Sequence, residues 1–276
     1  MKIVDSQVHI WAANTPERPW PKRGPPQRPI PFSADDLLKE MNSAHVDRAI
    51  IVPPSWEGER NDLALAAAQS HPERLAVMGR LDVTVPDARE QVARWRSQPG
   101  MLGMRFTFKL PDAQATLARG HLDWFWGEAQ LHQIPLMINA SHAQTSLIEQ
   151  LADKYPDLKL TVDHLGLISS EKDDVAFARL DQLLRLATRP NVAVKVSGLP
   201  GYSTDVYPYR SLHVHIRRVY DAFGPKRMFW GSDITRMPVT YRQMVTMFTE
   251  EIPWLTSEDQ EWIMGRGISE WLRWPL

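Results

Sequence analysis

The side chains best suited to chemistry in this sequence stand at the carboxyl ends of predicted strands. Each is polar or charged and lies in or just after a short, largely apolar run: Gln7, His9, Arg105, Asn139, Asp163, His164, Ser197 and Asp233. Together they offer a carboxylate that could activate water, imidazoles that could carry a proton, and amide and guanidinium groups that could hold substrate oxygens. The set predicts acid–base chemistry on a small molecule.

Each of these residues taken alone also has a structural explanation. Arg105 could be a buried partner of Asp163 or Asp233, and Ser197 could cap a helix. Their common position at strand ends favours the functional interpretation, because the carboxyl ends of parallel strands in a closed barrel meet at one mouth.

The first strand, residues 2–11, alternates polar and apolar side chains. Successive side chains of a strand point to opposite faces, so one face is expected to carry Asp5, Gln7 and His9. The other face would carry Val4, Val8 and Ile10. The pattern therefore predicts one face of apolar side chains and one face of polar side chains that could take part in a reaction.

Strands and helices alternate along the whole sequence. The predicted strands are 2–11, 46–52, 75–81, 101–108, 135–139, 158–163, 192–197 and 228–231. Helices are expected at 34–43, 62–70, 86–96, around Trp124, and at 144–154, 174–187, 209–223, 241–251 and 257–272. Strands separated by helices pair in parallel, and eight such units predict a single-domain α/β fold, the (β/α)8 barrel. A doubly wound sheet is the alternative, but its glycine-rich turn after the first strand is missing, since the first glycine is Gly24.

The charge and composition of the chain limit the kinds of partner that it is expected to bind. The chain has 276 residues and a formal net charge of -1, from 32 basic and 33 acidic residues, which disfavours nucleic acid and anionic membranes. It has no cysteine, so disulfides, thiolate metal sites and a cysteine nucleophile are excluded. Without a leader-like start or a long apolar run, a cytoplasmic location is expected. The expected partner is a small-molecule substrate. Whether the chain forms a homo-oligomer is left open by the sequence.

Residues 12–33 contain seven prolines and should form an extended loop that borders the pocket and gives specificity. Ser33 is expected to cap the helix that follows this loop. Trp11 and Trp56, at or after strand ends, could offer a flat wall to a ring-shaped substrate, whereas most other tryptophans lie on helices and should pack.

Four motifs resemble the amidohydrolase-related family of TIM barrels. They are Asp5-Ser6-Gln7-Val8-His9-Ile10-Trp11, Val162-Asp163-His164-Leu165-Gly166, Lys195-Val196-Ser197-Gly198-Leu199 and Trp230-Gly231-Ser232-Asp233. The family includes sugar lactonases, 2-pyrone-4,6-dicarboxylate lactonase and metal-dependent decarboxylases of the aminocarboxymuconate semialdehyde type. The resemblance spans nearly the whole chain and is nearest to the lactonase branch, through Asp-His-Leu-Gly and Trp11.

The sequence departs from the metal-binding members of that family. Those members carry His-x-His in the first strand, a His in the fifth and an Asp in the eighth, whereas this chain has Gln7 and Asn139 at two of the positions. Neutral amides are poor ligands for transition metals, so no metal cofactor is expected. Zinc or manganese is the alternative that the family suggests, and it would need His164 or His142 as a further ligand.

The resemblance and the residues together predict a hydrolase of a lactone or similar cyclic ester. Asp233 is the expected base, and His164 and His9 are expected to donate or carry protons. Gln7 and Asn139 would donate to substrate oxygens, and Arg105 would bind a substrate carboxylate. A barrel that binds its ligand without turnover is the alternative from another class. A metal-dependent decarboxylase or C–N hydrolase ranks below both.

Overall fold

Short strands alternate with helices in the computed structural model, which describes residues 1–20, 28, 30–109, 120 and 122–276. The strands are β1 Val4–Val8, β2 Arg48–Ile51, β3 Leu75–Gly79, β4 Met101–Thr107, β5 Leu136–Asn139, β6 Leu160–Val162, β7 Val192–Ser197 and β8 Met228–Gly231. Each strand pairs in parallel with the next one along the chain. The predicted sheet of eight parallel strands is confirmed.

Hydrogen bonds between the first and last strands close the sheet into a barrel. The Ser6 hydroxyl donates to the carbonyl of Trp230 at 2.7 Å. Just beyond β8, the backbone N–H of Asp233 donates to the carbonyl of Gln7 at 2.9 Å. Because β8 thus meets β1, the fold is the predicted (β/α)8 barrel and not an open doubly wound sheet.

Helices surround the barrel at nearly the predicted places. They are α1 Ala34–Ala44, α2 Asp62–Ser70, α3 Ala88–Ala93, α4 Asp123–Leu131, α5 Thr145–Lys154, α6 Asp173–Phe177, α7 Leu180–Leu184, α8 His213–Phe223, α9 Tyr241–Thr249, α10 Ser257–Glu261 and α11 Gly267–Leu272. The predicted helix 174–187 is two short helices, and a π-helical turn, Trp262–Arg266, joins α10 to α11. No helix among the described residues has the length and apolar character needed to cross a membrane.

One end of the barrel is sealed by apolar side chains. Val4, Ile50, Met137 and Phe229, from four different strands, belong to one buried cluster with Leu272 of α11. The C-terminal helix therefore packs under the strands, and the opposite end, where the strands finish, is left for a site.

The first strand corrects the predicted division of faces. Its register against β2 shifts between Asp5 and Val8, as in a β-bulge. Asp5 consequently points to α9, where its carboxylate accepts a hydrogen bond from the Tyr241 hydroxyl at 2.6 Å, while Gln7 contacts Lys195 of β7. The prediction that Asp5 shares a face with Gln7 and His9 was wrong, because the bulge breaks the two-residue period. Val4 and Val8 likewise pack in separate clusters.

The proline-rich segment is described at residues 12–20, 28 and 30–33, and residues 21–27 and 29 lie outside the described part. Trp11 and Phe32 form an antiparallel bridge, with N–H to carbonyl distances of 2.9 and 3.0 Å. Arg18 forms an ion pair with Glu57 at 2.8 Å, in the loop after β2. At the end of the segment, the predicted cap is confirmed, since Ser33 and Asp36 form a capping box at the start of α1.

Candidate active site

A cavity of about 680 Å³ opens at the carboxyl ends of the strands. Among the residues that line it are His9 after β1, Arg105 in β4, Asn139 at the end of β5, His164 after β6 and Asp233 after β8. These five residues, contributed by five strands, therefore meet at one mouth, and with Trp56 six of the eight residues singled out for catalysis or substrate binding from sequence line the cavity.

His9 is held by partners on both ring nitrogens. Its Nδ1 lies 2.5 Å from the carbonyl of Val52, which can only accept, so Nδ1 carries a proton. Its Nε2 lies 3.2 Å from Gln7 Nε2 and 3.3 Å from Asp233 Oδ1. The imidazole thus presents Nε2 to the carboxylate at the mouth of the barrel.

Asp233 occupies a strained position at the end of β8. Its φ of 50° lies in the left-handed region that few non-glycine residues adopt, which is a feature of functional turns. Oδ1 is buried and accepts no hydrogen bond of good geometry from a described residue. Burial raises the pKa of Asp233, but its contacts with His9 and the charge of Arg236 outweigh it and hold the pKa well below 3.8. The carboxylate is therefore ionised at neutral pH.

His164 is a neutral imidazole at the end of β6. Its Nδ1 lies 2.9 Å from Ser197 Oγ and 3.3 Å from the Ser197 carbonyl, so Nδ1 donates toward Ser197. Burial lowers the pKa of His164 to about 4. Both His164 and Leu165 have φ 52°, which bends the chain sharply in the Asp-His-Leu-Gly turn.

Arg105 shares the carboxylate of Asp163 with a buried lysine. Arg105 Nε lies 3.2 Å from Asp163 Oδ2, and Lys195 Nζ lies 2.8 Å from Asp163 Oδ1, an ion pair by distance, not an aligned hydrogen bond. Arg105 Nη1 donates to the Thr107 hydroxyl at 2.8 Å, and Nη2 has no partner within the described residues. Two cations and one carboxylate leave net positive charge beneath the cavity. Arg105 therefore both forms the expected ion pair with Asp163 and lines the cavity.

The remaining predicted substrate contacts divide into two groups. Asn139 and Trp56 line the cavity, and Asn139 Oδ1 and Trp56 Nε1 have no hydrogen-bond partner among the described residues. Gln7 and Trp11 do not line it, and both are almost fully buried. Trp11 packs edge-to-face on Trp56 with ring centroids 6.2 Å apart and donates Nε1 to the Ile30 carbonyl, so it supports the wall and is not part of its surface.

Three cavity residues with ionisable side chains were missed from the sequence. Tyr202 lines the cavity, and burial raises its pKa, so its hydroxyl stays a hydrogen-bond donor. Arg236 places Nε 3.9 Å from Asp233 Oδ2, and Lys172 stands at the exposed rim. Arg236 follows Asp233 by one turn, which could have indicated it, whereas Tyr202 lies in a loop without a strand pattern.

The proline-rich segment is one layer away from the cavity. None of its described residues lines the cavity, but Arg18 contacts Glu57, the neighbour of Trp56. The segment therefore lies on the expected side of the barrel and borders the wall from behind.

The donor set does not fit a tightly held transition metal. Within the described ranges, no group of three His, Asp or Glu side chains is placed to hold an ion. Gln7 turns its oxygen to Lys195, and His142 Nε2 lies 3.1 Å from the carbonyl of Leu165, away from the cavity lining. In the described part of the chain, His9 and Asp233 alone of the expected ligands lie in contact, and zinc sites use three or four protein ligands.

Comparisons with known proteins agree with this architecture. The sequence model of the amidohydrolase family matches residues 4–267. L-fucono-1,5-lactonase from Burkholderia multivorans is 27% identical over 250 residues, which cover 83% of this chain and 81% of the relative. The enzyme of the same name from Burkholderia ambifaria is 28% identical over 245 residues, which cover 83% and 79%.

Solved structures share the fold at lower identity. An amidohydrolase from Burkholderia multivorans, crystallised with zinc bound, superposes with a TM-score of 0.83 at 22% identity over 100% of both chains. A Pseudomonas putida structure described as a 2-pyrone-4,6-dicarboxylic acid hydrolase gives 0.81 at 19% identity, over 100% of this chain and 98% of that one. These likenesses establish the barrel architecture.

Proposed function

The chain belongs to the amidohydrolase family, and on that premise we propose that it hydrolyses a lactone bearing a carboxylate, with Asp233 as the base and no tightly bound metal. The observation that carries the proposal is the pairing of His9 Nε2 with Asp233 Oδ1 at 3.3 Å in the cavity. Oδ1 is buried against His9, and the Asp233 carboxylate lines the cavity, where it can take a proton from a water molecule.

The reaction needs only groups that the cavity offers. Water held by Asp233 attacks the lactone carbonyl carbon as its proton passes to the carboxylate. The developing oxyanion is stabilised by donors such as the Asn139 amide and the Tyr202 hydroxyl. Cleavage of the ring C–O bond releases an alkoxide, which takes the proton back from Asp233, so lactone and water become a hydroxy acid.

The low pKa of Asp233 shapes this role. An ionised carboxylate is always ready to accept, but one with a low pKa holds a proton weakly. A substrate carboxylate bound in the cavity would add negative charge near Asp233, and this raises its proton affinity.

The charge beneath the cavity supports a carboxylate on the substrate. Asp163 is shared by Arg105 and Lys195, so one positive charge there is uncompensated by a close carboxylate among the described residues. The unpartnered Nη2 of Arg105 can bind a carboxylate oxygen, and Arg236 and Lys172 extend positive charge to the rim. The L-fucono-1,5-lactonase relatives support lactones as the class. A barrel that only binds would not need an ionised carboxylate with an unpartnered oxygen in its cavity.

A lactone screen tests the proposal. Hydrolysis releases acid, so a pH indicator can follow a panel of sugar-acid lactones and cyclic esters with a second carboxylate, each with and without chelator. The Asp233→Asn protein serves as the background. The proposal predicts chelator-insensitive hydrolysis of at least one carboxylate-bearing lactone above that background, and no hydrolysis across the panel would contradict it.

A further inference from the structure

Lys195 is a charged residue that the proposed reaction does not use. It lies on β7 without any exposed surface, beneath the cavity. Its Nζ lies 2.5 Å from Gln7 Oε1, 3.3 Å from the carbonyl of Ser6 and 2.8 Å from Asp163 Oδ1. A buried ammonium is costly unless its three N–H groups find acceptors, and three oxygens surround it.

Lys195 determines which way the Gln7 amide faces. An ammonium only donates, so it must contact the oxygen of the amide and not its NH2 group. With Oε1 turned to Lys195, Gln7 Nε2 is turned to His9 and lies 3.2 Å from the imidazole Nε2. The opposite orientation would place two donors, the ammonium and the NH2 group, against each other.

The Gln7 amide in turn opposes a proton on His9 Nε2. An amide NH2 group only donates, so the ring nitrogen that it faces must accept. The Val52 carbonyl already requires the ring proton on Nδ1. Both contacts therefore favour the same neutral form of His9, whereas the carboxylate of Asp233 at 3.3 Å attracts a proton to Nε2.

We propose that Lys195 is a positioning residue that acts through the Gln7 amide to keep His9 Nε2 unprotonated beside Asp233. In this arrangement Nε2 accepts from the Gln7 amide and gives no proton to Oδ1, so the Asp233 carboxylate keeps its capacity to accept a proton. Without Lys195 the amide can rotate and accept from Nε2, and His9 and Asp233 then form an ion pair in which the carboxylate is a weaker base. Only the catalytic consequence rests on the proposed function.

Lys195→Met is a suitable test variant. Methionine is unbranched and of similar length, and its site already contains the sulfur of Met137 at 3.3 Å from Nζ. Asp163 keeps Arg105 as its ion partner, so the substitution leaves a one-to-one pair and no unpaired buried charge.

Nitrogen NMR of ring-labelled histidine tests the arrangement without substrate. At about pH 7 the wild type should show His9, assigned with a His9→Asn protein, with a proton on Nδ1 and none on Nε2. Lys195→Met should show a proton on Nε2. Gln7→Glu, which keeps an oxygen for Lys195 and turns the other to His9, should do the same and replaces Lys195→Met if that protein does not fold. A protonated Nε2 in the wild type, or His9 unchanged in the variants, overturns the proposal.

A double-mutant cycle tests the route through Gln7. Lys195→Met should lower kcat by about 10²-fold, the low end of what a positioned proton acceptor contributes, with KM little changed. In a Gln7→Met background it should cause no further loss, because the amide through which it acts is gone. Independent, additive losses would assign Lys195 a structural role and overturn the proposal. Lys39→Met, at an exposed helix position, is the matched control. The NMR result stands apart from any failure to find a lactone substrate.

Discussion

A Cβ placed on Gly198 would lie 3.3 Å from the Cβ of Asp233. Gly198 follows β7 and has φ 63°, and Asp233 follows β8. The ends of these neighbouring strands are therefore so close that the backbone of one supports the carboxylate carried by the other. Glycine is favoured here by its left-handed conformation and by the close contact, since an added Cβ would need Asp233 to shift by a few tenths of an ångström.

Gly198→Ala should disturb the site more than the fold. The added methyl group would push Asp233 away from His9, and the left-handed backbone would cost about 1–2 kcal/mol. We expect a large fall in kcat with a modest fall in the free energy of unfolding in urea. Gly127→Ala in α4, where a Cβ meets only Tyr155 at 3.9 Å, is the control and should leave activity unchanged. Full activity in Gly198→Ala would argue against close control of Asp233.

Asp233→Asn should abolish turnover while the barrel stays folded. Asparagine keeps the size of the side chain but cannot take a proton, and loss of a general base typically costs about 10²–10⁴-fold in rate. Steady-state kinetics on the best lactone and circular dichroism measure the two properties. Asp221→Asn, which removes an exposed carboxylate paired with Arg217, is the control. If Asp233→Asn keeps a substantial fraction of kcat, the base is another residue.

Arg105→Met should reduce the preference for carboxylate-bearing lactones over neutral lactones. Asp163 remains paired with Lys195, so the interior keeps a balanced charge. The lost charge-assisted hydrogen bond is worth about 1.5–3 kcal/mol, or roughly 10- to 100-fold in kcat/KM, for a carboxylate-bearing lactone. Neutral lactones should lose much less. Equal losses on charged and neutral lactones would show that Arg105 acts on the ring carbonyl or on the fold.

The burial of His164 should make stability depend on pH. In the folded protein its pKa is lowered from 6.5 to about 4, so between these values the unfolded chain binds the extra proton. The free energy of unfolding should therefore fall as pH drops from about 6.5 to about 4, by about 3 kcal/mol from this residue. His164→Asn, whose side chain tolerates φ 52°, should lose that part of the slope. Urea unfolding at several pH values measures it, and parallel curves for the two proteins would contradict the assignment.

Purified protein should contain no stoichiometric transition metal, because Gln7 and Asn139 replace two ligands and the described residues offer no third donor to His9 and Asp233. Elemental analysis of protein prepared without chelator tests this directly. A bound metal at one equivalent, with activity lost to chelator and restored by that metal, would make Asp233 a ligand as well as a base.

The strand order and most of the mouth could be predicted from the sequence. Each strand is a short buried run whose last residues are polar, and in a parallel barrel such ends must converge. His9, Asn139 and Asp233 could therefore be placed together without knowledge of any contact between them. The fold follows from pattern alone because the pattern repeats eight times.

The other features depend on tertiary contacts that the sequence does not display. The face of Asp5 is set by a bulge against β2, which local alternation cannot foresee. A lysine within a strand usually lies at the surface, and burial of Lys195 is made tolerable by the oxygens of Ser6, Gln7 and Asp163, which lie in or just after two other strands. Trp11 and Trp56 are alike in sequence context, and packing alone decides that Trp56 faces the cavity.

The hydrogen bond from Asp233 N–H to the Gln7 carbonyl lies on the junction between the first and last strands. His9 and Asp233 are brought together only there, so the pair cannot exist in any partly synthesised chain that lacks β8. Contacts between segments so distant in sequence are slow to form in folding, because the entropy of closing a long loop must be overcome first. Turnover would consequently report on closure of the barrel, and a chain that has built seven strands correctly would still be inert.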